Sequence, residues 1–251
     1  MARSRYLTVL PLLVAVFLMS GCSLPSTRKR DADVHYTLGL SYLREKDATR
    51  ALKEFLEAEE YDSGRADIQS ALGQTYQMKR AFSEAEKHYL RALRLSNDSP
   101  DYQNNLADLY LTMERWDDAI LYFRKAADNL LFGHPEVAYT GMGYAYHQKR
   151  EYLAAASSYN EALKNNPRYA PAHLQLGKAY YALDKVEKAI ASYQQALEYA
   201  PDFAQAHFEL GVAYIRTKQT TKAVASFKEV QRLAPDSDLG RDAADYIKIL
   251  K

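Results

Sequence analysis

The sequence predicts an all-α chain: a solenoid of stacked helix pairs closed by one further helix. Three observations carry this. A skeleton of small and large apolar residues returns every 34 residues, glycines stand at one fixed place in successive units, and prolines close several units. The skeleton is most regular over residues 170–202, as Leu176-Gly177, Tyr180, Ala189, Tyr193, Ala196 and Pro201. One period later it reads Leu210-Gly211, Tyr214, Ala223, Phe227 and Pro235, and one period earlier Gly143, Tyr146, Ala155, Tyr159, Ala162 and Pro167. Fixed self-similarity at this length marks a repeat array in which each unit is one helix hairpin.

Each element of the skeleton has a steric reason. Gly39, Gly73, Gly143, Gly177 and Gly211 fall inside helical patterns, where Gly costs about 1 kcal/mol relative to Ala. A Gly retained there marks an approach of two helices too close for a larger side chain. The Ala twelve residues later is the matching small surface of the second helix, and the Tyr or Phe four residues after it fills the gap. Pro167, Pro201 and Pro235 end units because Pro cannot continue a helix. The units divide as 32–65, 66–99, 100–135, 136–169, 170–203 and 204–237. Each pair leaves an apolar side uncovered, so units need neighbours. Residues 238–251 supply a capping helix, with Leu239, Ala243, Tyr246, Ile247 and Leu250 at helical spacing.

The period breaks once. Ala107, which stands where other units have Gly, lies 36 residues before Gly143. The extra length falls on Asp128 to Pro135, and Leu130, Leu131 and Phe132 within it either fold under against neighbouring helices or form a contact surface.

The start of the chain is different. Arg3 and Arg5 precede an apolar, uncharged run from Tyr6 to Met19, about 14 residues, which is short for a bilayer span of roughly 20. Small residues then precede Cys22, the only cysteine of the 251 residues. A basic start, a short apolar run and small residues are a secretory signal, and Ser20-Gly21-Cys22 resembles the bacterial lipobox. That resemblance makes residues 1–21 a lipoprotein signal peptide and Cys22 the lipidated first mature residue. Residues 22–31 read as a polar flexible tether, whose Arg28-Lys29-Arg30 either meets anionic headgroups or is simply solvated.

Composition bounds the function. The formal charge is +1, and removing Arg3 and Arg5 from the 33 basic side chains leaves 31 against 32 acids. Nothing in that balance suggests nucleic-acid binding. His35, His173 and His207 share the fourth position of their units, which repeat packing explains, while His88, His134 and His147 lack a partner at ligand spacing. Gly141-x-Gly143 lies in a helical unit without a preceding strand, so it is no phosphate loop. No nucleophile–base arrangement is placed by any motif. The sequence therefore predicts a non-enzymatic protein with no cofactor, no metal site and no small-molecule substrate.

The 34-residue unit resembles the tetratricopeptide repeat, and the resemblance implies a right-handed superhelix of six such helix pairs plus the C-terminal capping helix. Six repeats behind a lipobox resemble the type IV pilus biogenesis/stability lipoproteins, the pilotins of the pilus secretin. The specific stretch is residues 116–168, where Tyr122-Phe123, Ala126, Leu131-Phe132, Pro135-Glu136, Gly143 and Asn166-Pro167 are similar to that family's third and fourth repeats. Asn97-Asp98 and Ala107 depart from its pattern. The resemblance implies an outer-membrane lipoprotein on the periplasmic face that helps secretin subunits assemble. The alternative is a general periplasmic scaffold lipoprotein for envelope enzymes or another secretion system.

In stacked pairs the first helices line the concave side. Side chains expected there include Tyr36, Leu40 and Leu43 in repeat one, Gln74 and Gln77 in two, Asp108 in three, Tyr144 in four, and Lys178 and Tyr181 in five. The repeat-one trio has no element before it to cover it, so it is the leading candidate for a partner-binding patch.

Overall fold

The computed structural model describes residues 25–250, and everything below concerns these residues. They form thirteen helices and no strand: α1 (Pro25–Arg44), α2 (Ala48–Tyr61), α3 (Ala66–Met78), α4 (Phe82–Leu95), α5 (Pro100–Thr112), α6 (Trp116–Ala127), α7 (Pro135–Gln148), α8 (Tyr152–Asn165), α9 (Ala170–Ala182), α10 (Val186–Tyr199), α11 (Ala204–Arg216), α12 (Thr220–Leu233) and α13 (Asp238–Ile249). Odd and even helices pair in sequence through α12, each pair packs on the next, and α13 lies on α12 and α11. The all-α superhelical class read from the period is the observed one.

The turn inside each pair is built the same way six times. Lys46, Arg80, Glu114, Arg150, Asp184 and Lys218 all adopt positive φ, between 57° and 62°. The amide that follows each donates back to the carbonyl of the repeated tyrosine: Asp47 to Tyr42, Ala81 to Tyr76, Arg115 to Tyr110, Glu151 to Tyr146, Lys185 to Tyr180 and Gln219 to Tyr214, at 2.8–2.9 Å. This closes the helix and reverses the chain. Asn97 and Asp98 carry consecutive positive φ values of 53° and 59° at the exit of α4. Short polar side chains tolerate that region best, which accounts for their replacing the Asn-Pro found at Asn166-Pro167.

Glycine marks close approach here. A Cβ on Gly73 would lie 2.8 Å from the Tyr89 ring, and the same relation links Gly39 to Phe55, Gly143 to Tyr159, Gly177 to Tyr193 and Gly211 to Phe227. Repeat three breaks the rule and repairs it. Ala107 is fully buried where a glycine would stand, and its methyl takes the space the Phe123 ring would need. Phe123 instead faces Gly141 of α7, where an added Cβ would strike the ring. The pair Gly141 and Gly143 thus lets α7 sit between Phe123 on one side and Tyr159 on the other.

The ends differ from a regular repeat. Helix α1 begins at Pro25, so residues 25–31 of the expected tether are helical, while residues 1–24, with the signal peptide and Cys22, lie outside the described residues. Burial of Ala32 explains the extension, since packing there nucleates a helix that the Arg- and Lys-rich residues before it propagate. At the junction of α6 and α7, the stretch Leu130 to Phe132 divides. Phe132 is buried in the core around α4–α7, which fits the folded-under reading and removes it from any contact surface, whereas Leu130 and Leu131 are solvent-facing and not folded under.

Candidate protein-binding groove

The predicted concave-face residues fall into three places. In repeat one, Leu40 and Leu43 are half-buried and, with Arg44 and Gln74, line a depression of about 320 Å³. Tyr36 is more covered than its position suggested. Its ring lies 5.8 Å from that of Phe55, and the Arg65 guanidinium sits 5.1 Å over it. Burial is also what pushes its phenol pKa upward, with Asp67 adding to the effect.

Gln74, Gln77, Asp108 and Tyr144 come together in a second concavity of about 700 Å³ that crosses α3, α5 and α7. Its floor is the buried rings of Tyr89 and Phe123. Gln77 ties the repeats to one another: its Oε1 accepts from the Tyr89 hydroxyl at 3.2 Å, and its Nε2 donates to Asp108 Oδ2 at 2.9 Å and Thr112 Oγ1 at 3.2 Å. Asn105 Nδ2 donates to Ser70 Oγ at 3.2 Å across the same joint. Met78, Thr112, Tyr169 and Gln175 also line this space and were not anticipated. For Met78 and Thr112 the available signal was the thirteenth position of the unit, adjacent to the twelfth already assigned to the groove.

Lys178 and Tyr181 do not join that concavity. Lys178 Nζ pairs with Glu209 Oε1 at 3.2 Å, and Tyr181 lies under the Arg216 guanidinium at 5.1 Å. Both are occupied in holding repeat five to repeat six.

Repeat one has a further apolar surface, on its end rather than its groove. Val34 is 51% exposed and Leu38 43%, and with Arg30, Asp33 and Thr37 they flank a shallow concavity of about 360 Å³. One period later Ile68 and Leu72 are fully buried. The difference is the missing neighbour: α2 covers α3, and no described helix covers the corresponding side of α1.

His35, His88, His173 and His207 serve packing. His173 and His207 donate Nε2–H to the carbonyls of Pro167 and Pro201, at 2.9 and 2.8 Å, the same bond one repeat apart. His35 pairs with Glu54 at 2.8 Å and stacks on Tyr61. His88 meets Gln69 Oε1 at 2.8 Å, and burial pulls its pKa down. Among the described residues no group of three or more His, Cys, Asp or Glu could hold a metal ion.

These features define a class first: a helix-hairpin solenoid whose concave face and N-terminal apolar surface are uncovered among the described residues. Tetratricopeptide-repeat models match residues 64–131, 104–170, 140–196 and 174–238, and the chain belongs to the tetratricopeptide-repeat family. It is a scaffold for protein–protein contact. Among solved structures it is similar to PilF of Pseudomonas aeruginosa, with 19% identity, a TM-score of 0.73, and 87% of this chain and 99% of that one covered. It is similar to PilW, described as a widely conserved type IV pilus biogenesis factor, with 17% identity, a TM-score of 0.76, and 85% and 98% covered. The Cut9–Hcn1 assembly of the APC/C gives 19% identity, a TM-score of 0.70, and 88% and 42% covered. No protein of curated function matches the sequence.

Proposed function

We propose that this chain is a lipid-anchored assembly factor of a type IV pilus system, a pilotin that receives secretin subunits at the periplasmic face of the bacterial outer membrane. The observation that carries the reading is length as well as fold. The likeness to PilW and PilF runs over nearly all of their chains, 98% and 99%, so the repeat array is similar to theirs in extent as well as in fold. The lipobox-like start agrees with it: Cys22 anchors the chain, and the solenoid projects from that anchor. The apolar surface of repeat one, Leu40 and Leu43 in the groove with Val34 and Leu38 on the end, is where the secretin subunit docks. Exposed apolar area of this kind is stabilised by a protein partner.

Deletion tests the reading directly. Loss of the protein is expected to abolish secretin multimers and surface pili; multimers and pili that persist unchanged would refute the role. Cys22→Ala is expected to release the protein from the membrane fraction, and undiminished membrane association would refute lipidation.

A second reading, a general periplasmic scaffold lipoprotein serving envelope enzymes or another secretion system, is favoured by one observation: a fold match of comparable TM-score joins this chain to the Cut9–Hcn1 assembly of the APC/C, which is not described as a pilus factor. Under that reading the deletion leaves pili intact.

A further inference from the structure

We propose that the concavity crossing α3, α5 and α7 binds an extended polypeptide segment through a lysine or arginine side chain, with Asp108 as the anchoring carboxylate. This rests on the reading of the concave face as protein-binding, though not on the partner being a secretin.

The charge pattern comes first. Asp108 is the only charged side chain among the residues that line the concavity. It faces solvent and forms no ion pair among the described residues; the nearest groove cation downstream, Lys178, is already held by Glu209 at 3.2 Å. At the other end Arg44 belongs to the separate repeat-one depression. The space therefore has an uncompensated negative charge, which attracts a cation and disfavours a C-terminal carboxylate.

The carboxylate is also held in place. Gln77 Nε2 fixes Asp108 Oδ2 at 2.9 Å, and Gln77 is itself fixed by Tyr89 and Thr112. Oδ1 accepts no hydrogen bond among the described residues. One helical turn earlier on α5, Asn104 Oδ1 is buried and lacks a donor. Buried acceptors are rarely left unpaired. An ammonium carries three donors and a guanidinium five, so a cationic head has donors for the open Asp108 Oδ1. The methylene stem of such a side chain has apolar walls in Leu111, Tyr144 and the exposed Met78. Gln74 and Gln175, at opposite sides of the same space, offer amides to the main chain of a segment passing through.

The test uses the full chain in detergent and short labelled peptides of one neutral sequence with a central Lys, Arg, norleucine or Glu, read by fluorescence anisotropy. The Lys and Arg peptides are expected to bind about tenfold tighter than the norleucine peptide, the scale of a hydrogen bond to a charged group. The preference is expected to vanish in Asp108→Asn and to weaken as salt is raised. Asp108→Asn is isosteric and exposed, and an unchanged melting curve verifies its fold. Equal binding of all four peptides, binding of none, or a cationic preference that survives Asp108→Asn overturns the proposal. The pilus role stands or falls separately on secretin multimers after deletion, so failure of one leaves the other readable.

Discussion

At the C-terminal end of the solenoid, Tyr246 of α13 lies flat on Phe227, ring centres 4.8 Å apart and planes 5° from parallel, with Ala243 and Ile247 buried beside it. At the N-terminal end, Val34 and Leu38 hold the unit positions that are fully buried as Ile68 and Leu72, yet about half their surface is in water. One end spends a helix on closing the stack and presents Arg241, Asp242, Asp245 and Lys248 outward, and at the other end no described helix covers the apolar face. The difference teaches that a position in the repeat does not define core. The same leucine is structural when a second helix precedes it and available for docking when none does.

The largest expected effect separates the two ends at a single position of the unit. Leu72→Ala is expected to cost about 2–5 kcal/mol, as removal of a fully buried leucine does, while Leu38→Ala costs less than about 1 kcal/mol. Urea denaturation of both variants checks this, and equal losses would break the comparison by showing that the open end is covered. Next, Tyr246→Ala is expected to cost about 2–3 kcal/mol through lost burial and stacking on Phe227, with loss of amide protection concentrated in α11 and α12. A uniform loss along the chain would show that the cap is not local.

An interior joint sharpens the contrast, because both its sides are covered. Gly141→Ala drives a methyl into Phe123 and is expected to cost about 1–3 kcal/mol. Ala107→Gly in the same chain gives the ring the room it has in other repeats, so the double variant is expected to recover part of the loss; strict additivity in a double-mutant cycle would contradict the compensation. The smallest effect belongs to the solvent-facing pair in the α6–α7 junction. Leu130→Ser with Leu131→Ser is expected to stay within about 0.5 kcal/mol of wild type in thermal melts.

Much of this was legible in the sequence because a solenoid repeats its packing. Leu176-Gly177 and Tyr193 describe every joint once the period is found, and the cap shows in the spacing of Ala243, Tyr246 and Ile247. What was not legible depends on neighbours. Leu38 carries the same signature as Leu72, and it is exposed because no described helix precedes it. Tyr36 read as open, but Arg65, the last residue of its own repeat, folds over its ring. Phe132 and Leu131 are adjacent apolar residues that a loop turns opposite ways, with Asn129 Oδ1 accepting from the Leu131 amide at 2.9 Å. Helix α1 continues through a polar stretch that lacks apolar periodicity because Ala32 anchors it. Gly141 looked like an idle second glycine, and its purpose appears only when Ala107 and Phe123 are seen together.

The docking role of the open end is tested most directly by secretin capture. Full-length protein would be recovered from its native membrane, wild type beside the Val34→Asp/Leu38→Asp double variant, with melting measured on both. The prediction is that the variant melts near wild type and loses secretin subunits. Undiminished capture by a folded variant would contradict it.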